Sequence, residues 1–241
     1  MNIAYAAGII ILGYLLGAIP TGYWVVKVVK GVDIRQIGSG STGATNVLRA
    51  AGKGAALFVL IVDIMKGFVP VYASQMLEGP VWSTLPFYYP QVIPVLVAII
   101  AIVGHSKSIF LNFTGGKSAA TTLGTLYGLN IMAASLTFGL WILIVLTTKI
   151  VSLASVVAAI SCPVIMYLCG APPAVLVFSL VAAVYVVLRH KTNIKRILEG
   201  TEAKLGDKAK APPESASAAA TEEKACNTND SANANSRPSE E

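Results

Sequence analysis

Long apolar runs, broken by three short stretches rich in Gly, Lys, Arg, His and Asn, make up most of this 241-residue chain. Runs near 3–26, 54–76, 91–105, 131–148, 151–170 and 173–188 approach or reach the roughly 17–25 residues a helix needs to cross the hydrocarbon core. A weaker run, 118–129, reads as a shorter or partly re-entrant segment. The expected fold is therefore an all-α, polytopic membrane bundle of about seven helices. From Ala203 onward the chain turns to Ala, Ser, Pro, Glu, Lys and Asn, a composition that cannot bury enough apolar surface to fold. We expect a membrane domain over 1–202 and a disordered tail over 203–241.

Composition agrees, since 55% apolar residues, 12% charged and a mean hydropathy of +0.69 are too apolar for an ordinary soluble domain. Charge placement sets the orientation, because Lys and Arg collect in short cytoplasmic loops. Lys27, Lys30, Arg35, Arg49 and Lys53 follow the first run, and Lys107 and Lys117 the third. Lys149 precedes 151–170, and Arg189, Lys191, Lys195 and Arg196 follow the last run. The opposite connections, 77–90, 129–131 and 170–173, hold Glu78 as their one charged residue. Seven spans with the N-terminus outside and the C-terminus cytoplasmic satisfy this pattern. The first run lacks a basic start and is followed by its lysines, so it reads as an uncleaved helix rather than a signal peptide. Cys162, Cys169 and Cys226 show neither a disulfide framework nor a metal spacing.

The polar stretches all fall on one predicted face. In the first, Gly38, Gly40 and Gly43 interleave with Ser39, Ser41, Thr42 and Thr45 before a helix start at Ala44, an arrangement that suits either a phosphate nest or a plain interhelical turn. Asn46 and Arg49 lie three apart, on one helical face, where they would serve one ligand or anchor the cytoplasmic side. Asp63 and Lys66 share a spacing of three inside an apolar helix and read best as a structural ion pair. In the second stretch, Gly115, Gly116 and Lys117 have the makings of an anion cradle, and His105 reads as structural. In the third, Arg189, His190 and Asn193 group a guanidinium, an imidazole able to move protons near neutrality and an amide, with Glu202 beyond them; a basic flank is the plainer reading. Together they describe a membrane-face enzyme for a small polyanion. A phosphate-ester transporter is the main alternative, although it calls for charged interruptions at the membrane midplane. No metal or cofactor is required.

These three motifs, in this order, resemble the PlsY family of bacterial acyl-phosphate:glycerol-3-phosphate acyltransferases over about residues 3–202, with support from Asp63 to Gly67 and Lys149 to Ser155. The resemblance implies acyl transfer from acyl phosphate to the sn-1 hydroxyl of glycerol 3-phosphate, at the cytoplasmic side of a bacterial inner membrane. It implies that Ser39, Gly40, Gly43, Gly115, Gly116 and Lys117 hold the acyl-phosphate head. Arg49, His190 and Asn193, with Lys117 and Ser155, would hold glycerol 3-phosphate, while Asn46 and Glu202 shape the site. His190 or the departing phosphate would take the hydroxyl proton. Partners implied are these two substrates, membrane lipid and an enzyme that makes acyl phosphate, and no nucleic acid. The family commonly has Asn at Ser41, Gly at Ser118, and Lys at Asn112 and Thr114, so the cradle is expected to differ locally.

Overall fold

The computed structural model describes residues 2–85 and 88–207, and among these every regular element is helical. Helices α1 (Asn2–Ala18) and α2 (Thr21–Lys30) replace the single run expected over 3–26. The break is Pro20, which lacks an N–H and pushes the residue before it out of helical geometry. Helix α3 (Ala44–Met76) joins the predicted helix start at Ala44 to the predicted run at 54–76, with a kink at Gly52 (φ 86°, ψ −176°). Then come α4 (Val92–Ser106), α5 (Ala119–Leu129), α6 (Ile131–Thr148), α7 (Val151–Leu168), α8 (Pro173–Arg189) and α9 (Lys191–Leu198).

Four apolar stretches, 3–30, 44–76, 131–148 and 151–168, are long enough to cross a membrane, and α8 with α9, bent by 60°, makes a fifth. Helix α4 is shorter, and the eleven-residue α5 extends only about 16 Å at 1.5 Å per residue. This is the all-helical, multi-pass layout that hydrocarbon demands, because a helix satisfies its own backbone polar groups. Val71, Val97, Ile102, Leu126, Met166 and Phe178 belong to the largest buried apolar cluster, fed by α3 to α8.

The predicted ion pair forms inside α3, with Lys66 Nζ 2.8 Å from Asp63 Oδ1 and both side chains buried. Lys66 also donates to the Ile19 carbonyl at 2.8 Å, an acceptor that the end of α1 leaves without a helical partner. Nearby, Ser108 Oγ donates to the Ala18 carbonyl at 2.5 Å and Tyr14 Oη to that of Lys107 at 2.9 Å, tying the end of α1 to the loop after α4. The body continues past Glu202: the Leu205 N–H donates to the Lys149 carbonyl at 2.6 Å. Residues 208–241, most of the expected tail and Cys226, lie outside the described residues.

Candidate active site

The three polar stretches meet around one cavity of about 170 Å³. Ser39, Gly43, Asn46, Arg49, Lys117, Ser155, His190, Asn193 and Glu202, all foreseen from sequence, line it. Gly40, Gly115 and Gly116 are not among its lining residues. From the polar end an apolar arm runs between α5, α6, α7 and α8, walled by Leu123, Phe138, Trp141, Ala158, Ala182 and Val186.

Each side chain at the polar end has a structural reason for its place. Asn46 is buried, and its amide N–H groups reach the carbonyls of Ile34 (3.3 Å), Ile37 (2.9 Å) and Ser41 (2.9 Å), while its Oδ1 accepts from the Ser39 N–H at 3.2 Å. It braces the glycine-rich loop and has no amide donor to spare. Arg49, one helical turn on, reaches the Ala203 carbonyl at 3.4 Å. Lys117 Nζ donates to Asn193 Oδ1 at 2.6 Å, and Asn193 Nδ2 donates to Glu202 Oε1 at 2.6 Å. Ser152 Oγ donates to that same oxygen at 2.6 Å, and Arg196 Nε sits 2.6 Å from Glu202 Oε2. One chain of bonds therefore joins the loop before α5 to α7, α9 and the segment after it.

Two groups foreseen from sequence are engaged differently. The Gly116 N–H already donates to the His105 carbonyl (3.2 Å) and its C=O accepts from Arg189 Nη2 (2.8 Å), so that peptide supports Lys117 from behind. Ser155 Oγ is held between the Val151 carbonyl (2.9 Å) and Trp141 Nε1 (3.1 Å); Ser152 is the serine that reaches Glu202. Arg196, which reads as part of a basic flank, is the residue sequence reasoning passed over. Its signal was the spacing of three from Asn193, which puts both on one helical face. Ser118 shows what the departure from glycine entails: it sits at φ 63°, where glycine is at ease, and its buried Oγ bonds the Ile102 carbonyl at 3.0 Å.

Electrostatics sharpen the picture. Burial pushes Lys117 down to about 8; Glu202 pulls it up, and Arg196, Arg49 and Arg189 press it lower. Burial by itself would raise the Glu202 carboxyl, but bonds from Ser152, Asn193 and Arg196 outweigh it and hold the group below its ordinary value. His190, just past the end of α8, is pushed down to about 4, chiefly by burial, and is neutral at pH 7. Its Nδ1 lies 2.7 Å from the Val186 carbonyl, which can only accept, so Nδ1 carries the proton and the neutral ring keeps a lone pair on Nε2.

Residues 7–200 match the family model described as glycerol-3-phosphate acyltransferase. The chain belongs to that family. A glycerol-3-phosphate acyltransferase of Rippkaea orientalis is 51% identical over 201 residues, covering 83% of this chain and 93% of the relative. One of Synechocystis sp. is 47% identical over 207 residues, covering 86% and 93%. The crystal structure of PlsY (YgiH), an integral membrane glycerol 3-phosphate acyltransferase in its glycerol 3-phosphate form, superposes with a TM-score of 0.75 at 35% identity, covering 84% of this chain and 96% of that one. Its lysophosphatidic acid form gives a TM-score of 0.72 at 34% identity, covering 83% and 95%. The family match over residues 7–200 takes in every residue lining the cavity except Glu202 and Ala203.

Proposed function

We propose that the chain transfers a fatty acyl group from acyl phosphate to the sn-1 hydroxyl of glycerol 3-phosphate, giving lysophosphatidate and inorganic phosphate. The observation that carries this reading is one cavity with a cationic head and an apolar arm. Arg49 and Lys117 supply the positive charge that phosphate needs, and the arm suits an acyl chain. The ligands that name the two forms of the solved relative, glycerol 3-phosphate and lysophosphatidic acid, are the acceptor and product of this reaction.

The chemistry asks mainly for positioning, because acyl phosphate is already an activated mixed anhydride. The sn-1 hydroxyl oxygen attacks the acyl carbonyl carbon and its proton passes to His190 Nε2. Collapse of the tetrahedral intermediate breaks the bond between that carbon and the phosphate oxygen. Lys117 and Arg49 neutralise the departing phosphate, which takes the proton back from His190. Asn193, fixed between Lys117 and Glu202, orients the reacting groups. Ser39 and Gly43 line the rim over the donor phosphate, and Gly40 gives the loop its turn. In this reading seven helices cross a bacterial inner membrane, α4 and α5 among them, with the site on the cytoplasmic side. A reactive donor of this kind also favours functional coupling to the enzyme that makes it.

The test is purified protein with radiolabelled glycerol 3-phosphate and, in turn, acyl phosphate, acyl-coenzyme A and acyl carrier protein. Lysophosphatidate should form with acyl phosphate alone. Transfer from acyl-coenzyme A and none from acyl phosphate would overturn the reading.

A further inference from the structure

The buried Asp63, Lys66 and His105 cluster lies against the site from below, and its geometry explains a residue choice inside the second polar stretch. Asp63 and His105 both face the cavity, and His105 Nδ1 is 3.8 Å from Asp63 Oδ1, the same oxygen that Lys66 pairs with at 2.8 Å. The His105 ring turns its Nε2 edge toward Gly116. A Cβ at Gly116 would overlap the ring, with Nε2 its nearest atom and Cε1 and Cδ2 at 3.0 and 3.1 Å. Gly116 does not sit at positive φ, so its backbone would accept alanine. What excludes a side chain there is the imidazole. The Gly116 peptide is then gripped at both ends, by the His105 carbonyl and by Arg189, immediately before Lys117.

We propose that His105 is a positioning residue for substrate phosphate: buried beside the Asp63–Lys66 pair, its ring fixes the place of Gly116 and through it that of Lys117 Nζ. This rests on the reading above that Lys117 holds a substrate phosphate. Burial holds the ring, and the ring leaves the loop no room for a side chain at Gly116.

Two double-mutant cycles test the proposal, each read on kcat/KM with acyl phosphate and on binding of glycerol 3-phosphate to the purified protein. Gly116→Ala should lower both in the parent chain. In a His105→Ala background, which removes the ring and leaves the backbone carbonyl, the same change should cost at least about tenfold less, as residues in contact couple. If Gly116→Ala alone does not fold, recovery of folded protein in the double variant is the same result. His105→Ala should also add almost nothing to Lys117→Ala, because it acts through that lysine. Losses that simply multiply in both cycles, or a double variant that recovers neither activity nor folding, would overturn the proposal. A parent chain that binds glycerol 3-phosphate without using acyl phosphate would refute the donor assignment and leave the cycles readable by binding.

Discussion

Replacing Glu202 should disarm the site without touching a residue that the reaction scheme assigns to chemistry. Its carboxylate is 6% exposed and accepts from Ser152, Asn193 and Arg196, each at 2.6 Å. Hydrogen bonds to a charged group are worth about 1.5–3 kcal/mol each, so three of them sum to about 4.5–9 kcal/mol, an upper bound for the loss. Water entering at the site rim recovers part of that, and we expect Glu202→Ala to lose about 3 kcal/mol of transition-state stabilisation, roughly a hundredfold in kcat/KM. Glu202→Gln keeps an acceptor for Ser152 and Asn193 but turns an amide N–H₂ toward Arg196 Nε, so it should fall between, at about tenfold. The assay is acyl transfer to radiolabelled glycerol 3-phosphate, with thermal unfolding in detergent to separate lost chemistry from lost fold. Wild-type kcat/KM in a folded Glu202→Ala protein would refute the argument that this carboxylate holds Asn193 and Lys117 in register.

Lys117, lowered to about 8, is charged below that pH and neutral above it, so kcat/KM should fall as pH rises through about 8. Lys117→Arg keeps its charge throughout and should be slower yet lack that alkaline limb; an unchanged limb in the pH profile would place its origin elsewhere. Ser118→Ala keeps the strained φ and loses the bond to Ile102, which should cost about 1–2 kcal/mol of stability. Ser118→Gly loses the bond but relieves the strain and should stay near the parent melting temperature; equal loss in both variants would show that the φ of 63° carries no cost. Ala158→Leu, in the apolar arm, should favour shorter donors: displacing about three chain carbons at roughly 0.8 kcal/mol each is about fiftyfold against the longest chains, and an unchanged chain-length profile would remove this arm from the acyl site.

Much of this architecture was legible because hydrocarbon leaves the chain few options. The apolar runs became helices close to where they were expected, and Asp63 and Lys66 paired as two charges in an apolar helix must. Boundaries failed where a local backbone effect competed with hydropathy. Pro20 cut the first run although apolar residues dominate before it (Leu15, Leu16, Ile19) and soon after it (Tyr23, Trp24, Val25), and Gly52 was absorbed into α3 as a kink. The gathering of Arg49, Lys117, His190 and Asn193 around one cavity followed from their shared predicted face. The partners of each did not. Ser152 and Ser155 are equally plausible by type, and only the rotation of α7 against α6, with Trp141 capturing Ser155, decides which one meets Glu202.

Arg196 and Glu202 show why such a network is hard to read from a chain. Each is unremarkable in its own segment: one a basic residue after the last apolar run, the other an acid before a polar tail. Their meaning arises when the chain turns back after α9 and lays Glu202 over Asn193 and Ser152, with the Ala203 carbonyl against Arg49. Burial of the Lys117 amine would favour its neutral form, and the carboxylate that arrives by this turn pulls the other way. The segment after α9 thus forms a wall of the cavity. Residues beyond Glu202 hold it there, through Ala203 on Arg49 and Leu205 on the Lys149 carbonyl, so the order of the site depends on a segment whose composition alone marked it as tail.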